Sequence, residues 1–177
     1  MNNNRLSLKY TLENEEVLYT RENITQIALA DIENLIIMAR ETKRKRIRIC
    51  AHPSPDNPVH DMLIVHFYDT YVRPHRHLNK DETFHIIQGE LKVVIFNDDG
   101  AIKDIVNMGE YGSGKTFFYR MSKSYYHTVI PISEIAVFHE TTKGPFSLKD
   151  TKFPSWAPDG FSVKDNKKFM DSLPTRV

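Results

Sequence analysis

The sequence predicts an all-β fold, a sandwich or barrel, preceded by one helix. Three observations carry that expectation. Between residues 47 and 141, short runs rich in β-branched and aromatic residues alternate with polar ones and are separated by turn residues. Within that stretch Asp99-Gly100 is a strong hairpin signal. Ahead of it, Ala28, Ile32, Leu35, Ile36 and Ala39 recur at helical spacing.

The elements follow in order. Residues 1–23 are polar and weakly patterned. The helix is expected over 25–42, with Thr25 as its cap. Its polar face carries Asp31, Glu33, Asn34 and Glu41 rather than the cations of a membrane-surface helix. Its apolar stripe is therefore expected against the barrel or a partner subunit. In the basic run 43–49, Arg46 and Arg48 alternate with Ile47 and Ile49, which reads as a strand with one wet face and not as a nucleic-acid patch. Arg48 meets an anionic ligand instead if its face turns to the barrel mouth. Further strands are expected at 62–68, 82–88, 91–96, 101–108, 116–121, 127–130 and 135–139. After Thr142, Pro145, Pro154, Pro158 and Pro174 mark an irregular tail that wraps the barrel and ends in a short helix near 163–172. The expected organisation is an N-terminal extension with an amphipathic helix over 1–45, a barrel over 46–145 and a tail over 146–177.

Composition narrows the function. A chain of 177 residues with 40% apolar content is long enough for one domain with a sizeable core. A net charge of +1 without basic or acidic blocks argues against nucleic acid as the main partner. The single cysteine, Cys50, excludes an internal disulfide and a cysteine-based zinc site. Met1-Asn2-Asn3-Asn4-Arg5 lacks the apolar core of a secretion signal, and no stretch has the length of a membrane span. The expectation is a cytoplasmic protein with no membrane partner.

The chemistry concentrates in His75-Arg76-His77-Leu78-Asn79-Lys80-Asp81-Glu82, with Gly89 following, a pattern H-x-H-x4-E-x6-G. Two histidines two residues apart in a strand share a face, with Cα atoms about 6.6 Å apart. Two imidazoles so placed can converge on one ion at about 2.0–2.1 Å. Glu82 shares a face with Phe84 and Ile86, and an acid at the head of an apolar stripe is costly unless paired or metal-bound.

This spacing resembles the first motif of the cupin superfamily, small jelly-roll barrels that hold a metal in the barrel mouth. The match runs from His75 to Gly89, with Asp69 where the family has a leading glycine. His127 in Tyr125-Tyr126-His127-Thr128-Val129 fits the second motif's histidine, although Ser122, Ser124 and Pro131 depart from its usual Pro, Gly and Asn. The segments 71–77, 88–91, 126–129 and 139–146, with 48–52 and 153–158, are similar to the WbuC-type cupin metalloproteins. The resemblance implies a cupin double-stranded β-helix with an N-terminal helical extension. It implies one divalent transition metal (Fe, Ni, Mn, Co or Zn) on His75, His77, Glu82 and His127, and a homodimer. It also implies a small-molecule ligand such as a sugar or sugar nucleotide of surface-polysaccharide biosynthesis. Four protein ligands on an octahedral ion leave two positions for water, substrate or dioxygen. A metalloenzyme (isomerase, lyase or oxygenase), a non-catalytic metal-dependent binding module and an iron dioxygenase all remain open readings.

Other residues are candidates for the pocket wall. His52 lies in a matching segment. Tyr71 and Arg73 share nominal parity with His75, and Tyr125 with His127. His139 shares a face with Ile135 and Val137, which favours a core histidine over a pocket one. His85 and Arg76 are expected to face outward, and His60 and His66 to be structural or exposed. Gly109-Glu110-Tyr111-Gly112-Ser113-Gly114-Lys115-Thr116 fits a phosphate-binding loop by spacing. That loop requires a helix directly after it, whereas Phe117-Phe118-Tyr119-Arg120-Met121 is strand-like, so nucleotide binding is rejected.

Overall fold

In the computed structural model, which describes residues 5–174, the chain opens with a hairpin, β1 (Tyr10–Asn14) and β2 (Val17–Thr20). Helix α1 (Leu29–Glu41) and strands β3 (Arg46–Cys50) and β4 (Val59–Phe67) follow. Next come β5 (Arg76–His77), β6 (Glu82–Gln88), β7 (Glu90–Phe96), β8 (Ile102–Gly109) and β9 (Phe118–Met121). The chain continues with β10 (Tyr126–Pro131), β11 (Ile135–Lys143), β12 (Thr151–Lys152) and helix α2 (Val163–Ser172). The polar start Met1–Asn4, considered above for a secretion signal, and residues 175–177 of the tail lie outside the described residues.

A seven-stranded sheet in the order β1-β2-β3-β4-β11-β6-β9 packs on a three-stranded sheet in the order β10-β7-β8. The facing sides enclose the barrel interior, with Met62, Ile64, Phe84, Ile86, Leu91, Val93, Val129 and Phe138 at its centre. Both outer sides are also covered. Helix α1 lays Ile32, Leu35 and Ala39 against Ile47, Ile49, Val65 and Val137. The C-terminal tail and α2 lay Trp156, Met170 and Leu173 against Val94, Phe96 and Ile130. The central strands are therefore apolar on both faces, as in Val93-Val94-Ile95-Phe96, and do not alternate cleanly.

Two expectations need correction. The weakly patterned N-terminal stretch holds strands β1 and β2, and β2 pairs in parallel with β3. The helix begins at Leu29, four residues later than expected. Ala28 is its cap residue, and its N–H donates to Asp31 Oδ2 at 2.9 Å, while the Thr25 hydroxyl bonds Thr20 Oγ1 instead. The Asp31 carboxylate also takes the N–H and hydroxyl of Ser7, at 2.7 and 2.9 Å. The phosphate-loop lookalike is a glycine-rich turn between β8 and β9, with Gly112 and Gly114 at positive φ, and it is followed by a strand. Among the described residues no helix is long and apolar enough to cross a membrane.

Candidate functional site

Four side chains meet at one end of the barrel interior. His75 and His127 face each other across a short antiparallel bridge between the segment before β5 and strand β10. His77 lies in β5, held by pairing with β12, and Glu82 opens β6. Ring centroids are 4.5 Å apart for His75–His127, 5.0 Å for His75–His77 and 6.2 Å for His77–His127. Imidazoles bound at right angles to one ion, each at 2.0–2.1 Å, place their centroids roughly 4.5 Å apart. Glu82 Oε1 lies 2.8 Å from His127 Nε2, and Oε2 lies 3.9 Å from His77 Nε2.

The outer nitrogens of these rings are engaged. His75 Nδ1 is 2.9 Å from the carbonyl of Arg73, and His127 Nδ1 is 3.1 Å from that of Tyr125. A carbonyl only accepts, so both rings carry their proton on Nδ1, and in the neutral form each Nε2 presents a lone pair to the interior. His77 Nδ1 lies 3.2 Å from Thr151 Oγ1. Metal-bound histidines are oriented in this way by partners on the far nitrogen.

The electrostatics are those of a buried carboxylate among imidazoles. Burial pushes the His75 pKa down to about 3, helped by the neighbouring His127. Burial also lowers His77. Burial opposes both shifts of the closest pair, but the mutual attraction of Glu82 and His127 outweighs it, lowering Glu82 and raising His127. Glu82 Oε1 is completely enclosed and lies against His127 Nε2. The residues therefore fit a cation, with three imidazoles and one enclosed carboxylate converging on the barrel interior. Among the described residues no set of three or more His, Cys, Asp or Glu side chains stands as a preformed metal site.

The register places the remaining candidates. Across the interior face of the large sheet, His60, Thr142 and Glu82 form one row. His52 stacks on His60, with centroids 4.1 Å apart, and is buried. Three strand spacings separate that end of the row from Glu82, about 14 Å, so His52 lines the interior without joining the histidine cluster. The next row reads Cys50, Met62, Glu140, Phe84 and Tyr119, and the one below it Arg48, Ile64, Phe138 and Ile86. Arg48 thus faces the interior beside Cys50, and the arginine face of β3 is not the wet face expected. Arg73 lies over the ring of Phe153 at 4.7 Å, beside His75. Tyr125 packs against the interior core beneath Lys103.

Two candidates fall outside. Tyr71 donates its hydroxyl to the carbonyl of Pro158 at 2.8 Å, on the outer side of the small sheet. His139 has the parity of Val137, which packs towards α1. It lies half-exposed on the outer side of the large sheet, 3.4 Å from Asp61.

Two inward residues were not singled out by the sequence. Glu140 points into the barrel one row from Glu82, and burial together with the Glu82 charge pushes its pKa up to about 7. Tyr119 has a buried hydroxyl without a partner, and burial and the Glu82 charge raise its pKa as well. Parity with Phe138 is the signal that finds Glu140, once β11 is taken through to Lys143.

Comparisons with solved structures bear on the architecture alone. A family model described as a domain of unknown function (DUF6016) matches residues 27–108. No curated protein matches the chain. Protein SO0799 from Shewanella oneidensis superposes over 60% of this chain and 72% of its own, at 11% identity and a TM-score of 0.50. CapF, solved with the inhibitor 3-isopropenyl-tropolone, covers 64% of this chain and 33% of its own, at 14% identity and a TM-score of 0.51. Oxalate oxidase, solved with the substrate analogue glycolate, covers 64% and 57%, at 13% identity and a TM-score of 0.48. The matched region thus spans about a third of CapF. The chain has the cupin jelly-roll fold.

Proposed function

We propose that the barrel mouth holds one divalent first-row transition metal through His75, His77, Glu82 and His127, and that the protein is a metalloenzyme acting on a small polar substrate. The observation that carries this reading is the enclosed Glu82 oxygen facing imidazoles whose Nδ1 atoms are tied outward. Three imidazoles and a carboxylate suit Fe, Ni, Mn, Co or Zn. When bound, such a metal supplies Lewis acidity, polarising a substrate oxygen or acidifying a water.

The chain's own groups supply the rest. The carbonyls of Arg73 and Tyr125 hold two rings in place, so the donor set needs no rearrangement of ring tautomer. Glu140, with its pKa near 7, can hold or release a proton at its carboxyl group at neutral pH. The buried Tyr119 hydroxyl keeps its proton and is a donor for a substrate oxygen. The resemblance to WbuC-type cupins supports a sugar or sugar-nucleotide substrate from surface-polysaccharide synthesis.

Elemental analysis of natively purified protein tests the reading, with about one metal per chain expected in the wild type. His75→Ala and Glu82→Gln are each expected to weaken metal binding at least tenfold. Wild-type protein without stoichiometric metal, whose melting temperature ignores added Fe, Ni, Mn, Co and Zn, would sink it. Metal binding and ligand binding without turnover would make the protein a binding module. Oxygen uptake with iron alone would make it a dioxygenase.

A further inference from the structure

Two arginines stand two residues apart on the inward face of β3, and only one has a counter-ion. Arg46 Nε lies 2.9 Å from Glu16 Oε2, and Arg44 Nε lies 2.5 Å from Glu16 Oε1. Glu16 is only 5% exposed and serves both guanidinium groups. Arg48 has no carboxylate partner, and its side chain bonds that of Cys50 instead. Its Nε is buried without a hydrogen bond, and among the described residues no carboxylate forms an ion pair with it. The groups that feel its charge are Glu140, Cys50, His52 and His60 on the interior rows towards the histidine end, together with Tyr19, Arg46 and His66. Burial holds Cys50 and His52 in their neutral forms, so neither offers an anion.

A half-buried cation without a carboxylate partner loses part of its hydration uncompensated, and replacing it with an uncharged side chain is ordinarily tolerated or stabilising. We infer that Arg48 anchors an oxyanion, a carboxylate or phosphoryl group, on the small molecule that enters the barrel. The flat guanidinium fork suits either group in a two-point contact. With the anion at Arg48, the molecule's other end lies across β4 and β11 towards Glu140 and Glu82. Only that second placement rests on the metal reading. The anion contact itself needs no metal.

Calorimetric titration of the chelator-treated full chain with malonate, and separately with inorganic phosphate, tests this. Saturable binding of at least one anion is expected in the wild type, and the one that saturates identifies the group. Arg48→Gln should weaken it at least tenfold, and Arg48→Lys by less, since charge remains but the fork is lost. Arg76→Gln, on the outer side beside Asp98, should bind as the wild type does. In anion-free buffer Arg48→Gln should melt at or above the wild-type temperature, whereas a structural role predicts a fall. The inference is overturned if neither anion saturates, if Arg48→Gln binds equally well, or if binding requires metal and ignores Arg48. Metal content, measured separately, reports on the metal reading, so the two fail independently.

Discussion

Glu16 shows at the residue scale how one buried carboxylate organises its surroundings. Burial alone would raise its pKa, but the guanidinium groups of Arg44 and Arg46 outweigh that and hold it below the usual carboxylate value. A depressed native pKa means stability that is complete above the ordinary carboxylate range and lost as pH falls through the lower native value. The share of stability that Glu16 supplies should therefore stay level from neutral pH down to about pH 5 and then drop, on top of a loss that begins near pH 6.5, where buried neutral histidines such as His75 take up protons on unfolding. Glu16→Gln should cost about 2 kcal/mol at pH 7 and flatten that acid limb. Melting curves across pH for both proteins check this; an unchanged limb in the variant would remove Glu16 from the account. Residue identity also limits what the sequence reveals. His75, His77 and Glu82 were legible because their spacing is short and local. Glu140 was not, because its parity counts only once β11 is known to run on to Lys143. His139, one position away, faces the opposite side for the same reason.

At the scale of elements, local patterning located most strands and helix α2, but it failed where pairing is long-range. Strand β2 is four residues long, and its parallel partner β3 arrives only after α1, so nothing within Val17–Thr20 announces it. The turn between β6 and β7 shows the opposite case, a position where backbone geometry dictates the residue. Gly89 sits at φ 76°, and a Cβ there would lie 2.2 Å from the carbonyl oxygen of Ile135. This is why the histidine motif ends in glycine. The reason is a tight turn that fixes the register of β6, and with it the height of Glu82, and not contact with any ligand. Gly89→Ala is expected to destabilise by more than about 2 kcal/mol, from positive-φ strain and the clash together. Chemical denaturation measures it, and a loss below half that figure would show that the turn can relax.

At the scale of the molecule, both sheets are covered on both sides, and the tail matters as much as the barrel strands. Trp156 packs on Phe96 at 5.0 Å and on Tyr126 at 5.9 Å, and its indole N–H donates to the Asp98 carbonyl at 3.1 Å. Trp156→Ala should cost about 3 kcal/mol. Because Tyr126 adjoins His127, and β12 of the same tail adjoins His77, the variant should also loosen the histidine cluster. Hydrogen exchange at the amides of β10 and β5 reads that directly, and unchanged protection there would uncouple tail from site.

The order of strands has a consequence for how the chain is made. An interior strand of the large sheet, β11, is the last of that sheet to leave the ribosome, and it joins β4 to β6. Translation at about 5–20 residues per second puts roughly 4–15 seconds between the end of β4 and the end of β11. Through that interval the nascent chain has a bare edge on β4 and another on β6, each a template for wrong pairing. The helix α1, already complete, can cover the outer apolar side of β3 and β4 in that window, but not the open edges. Slowed translation between residues 67 and 143 should therefore lengthen the chain's exposure to aggregation and to chaperone capture.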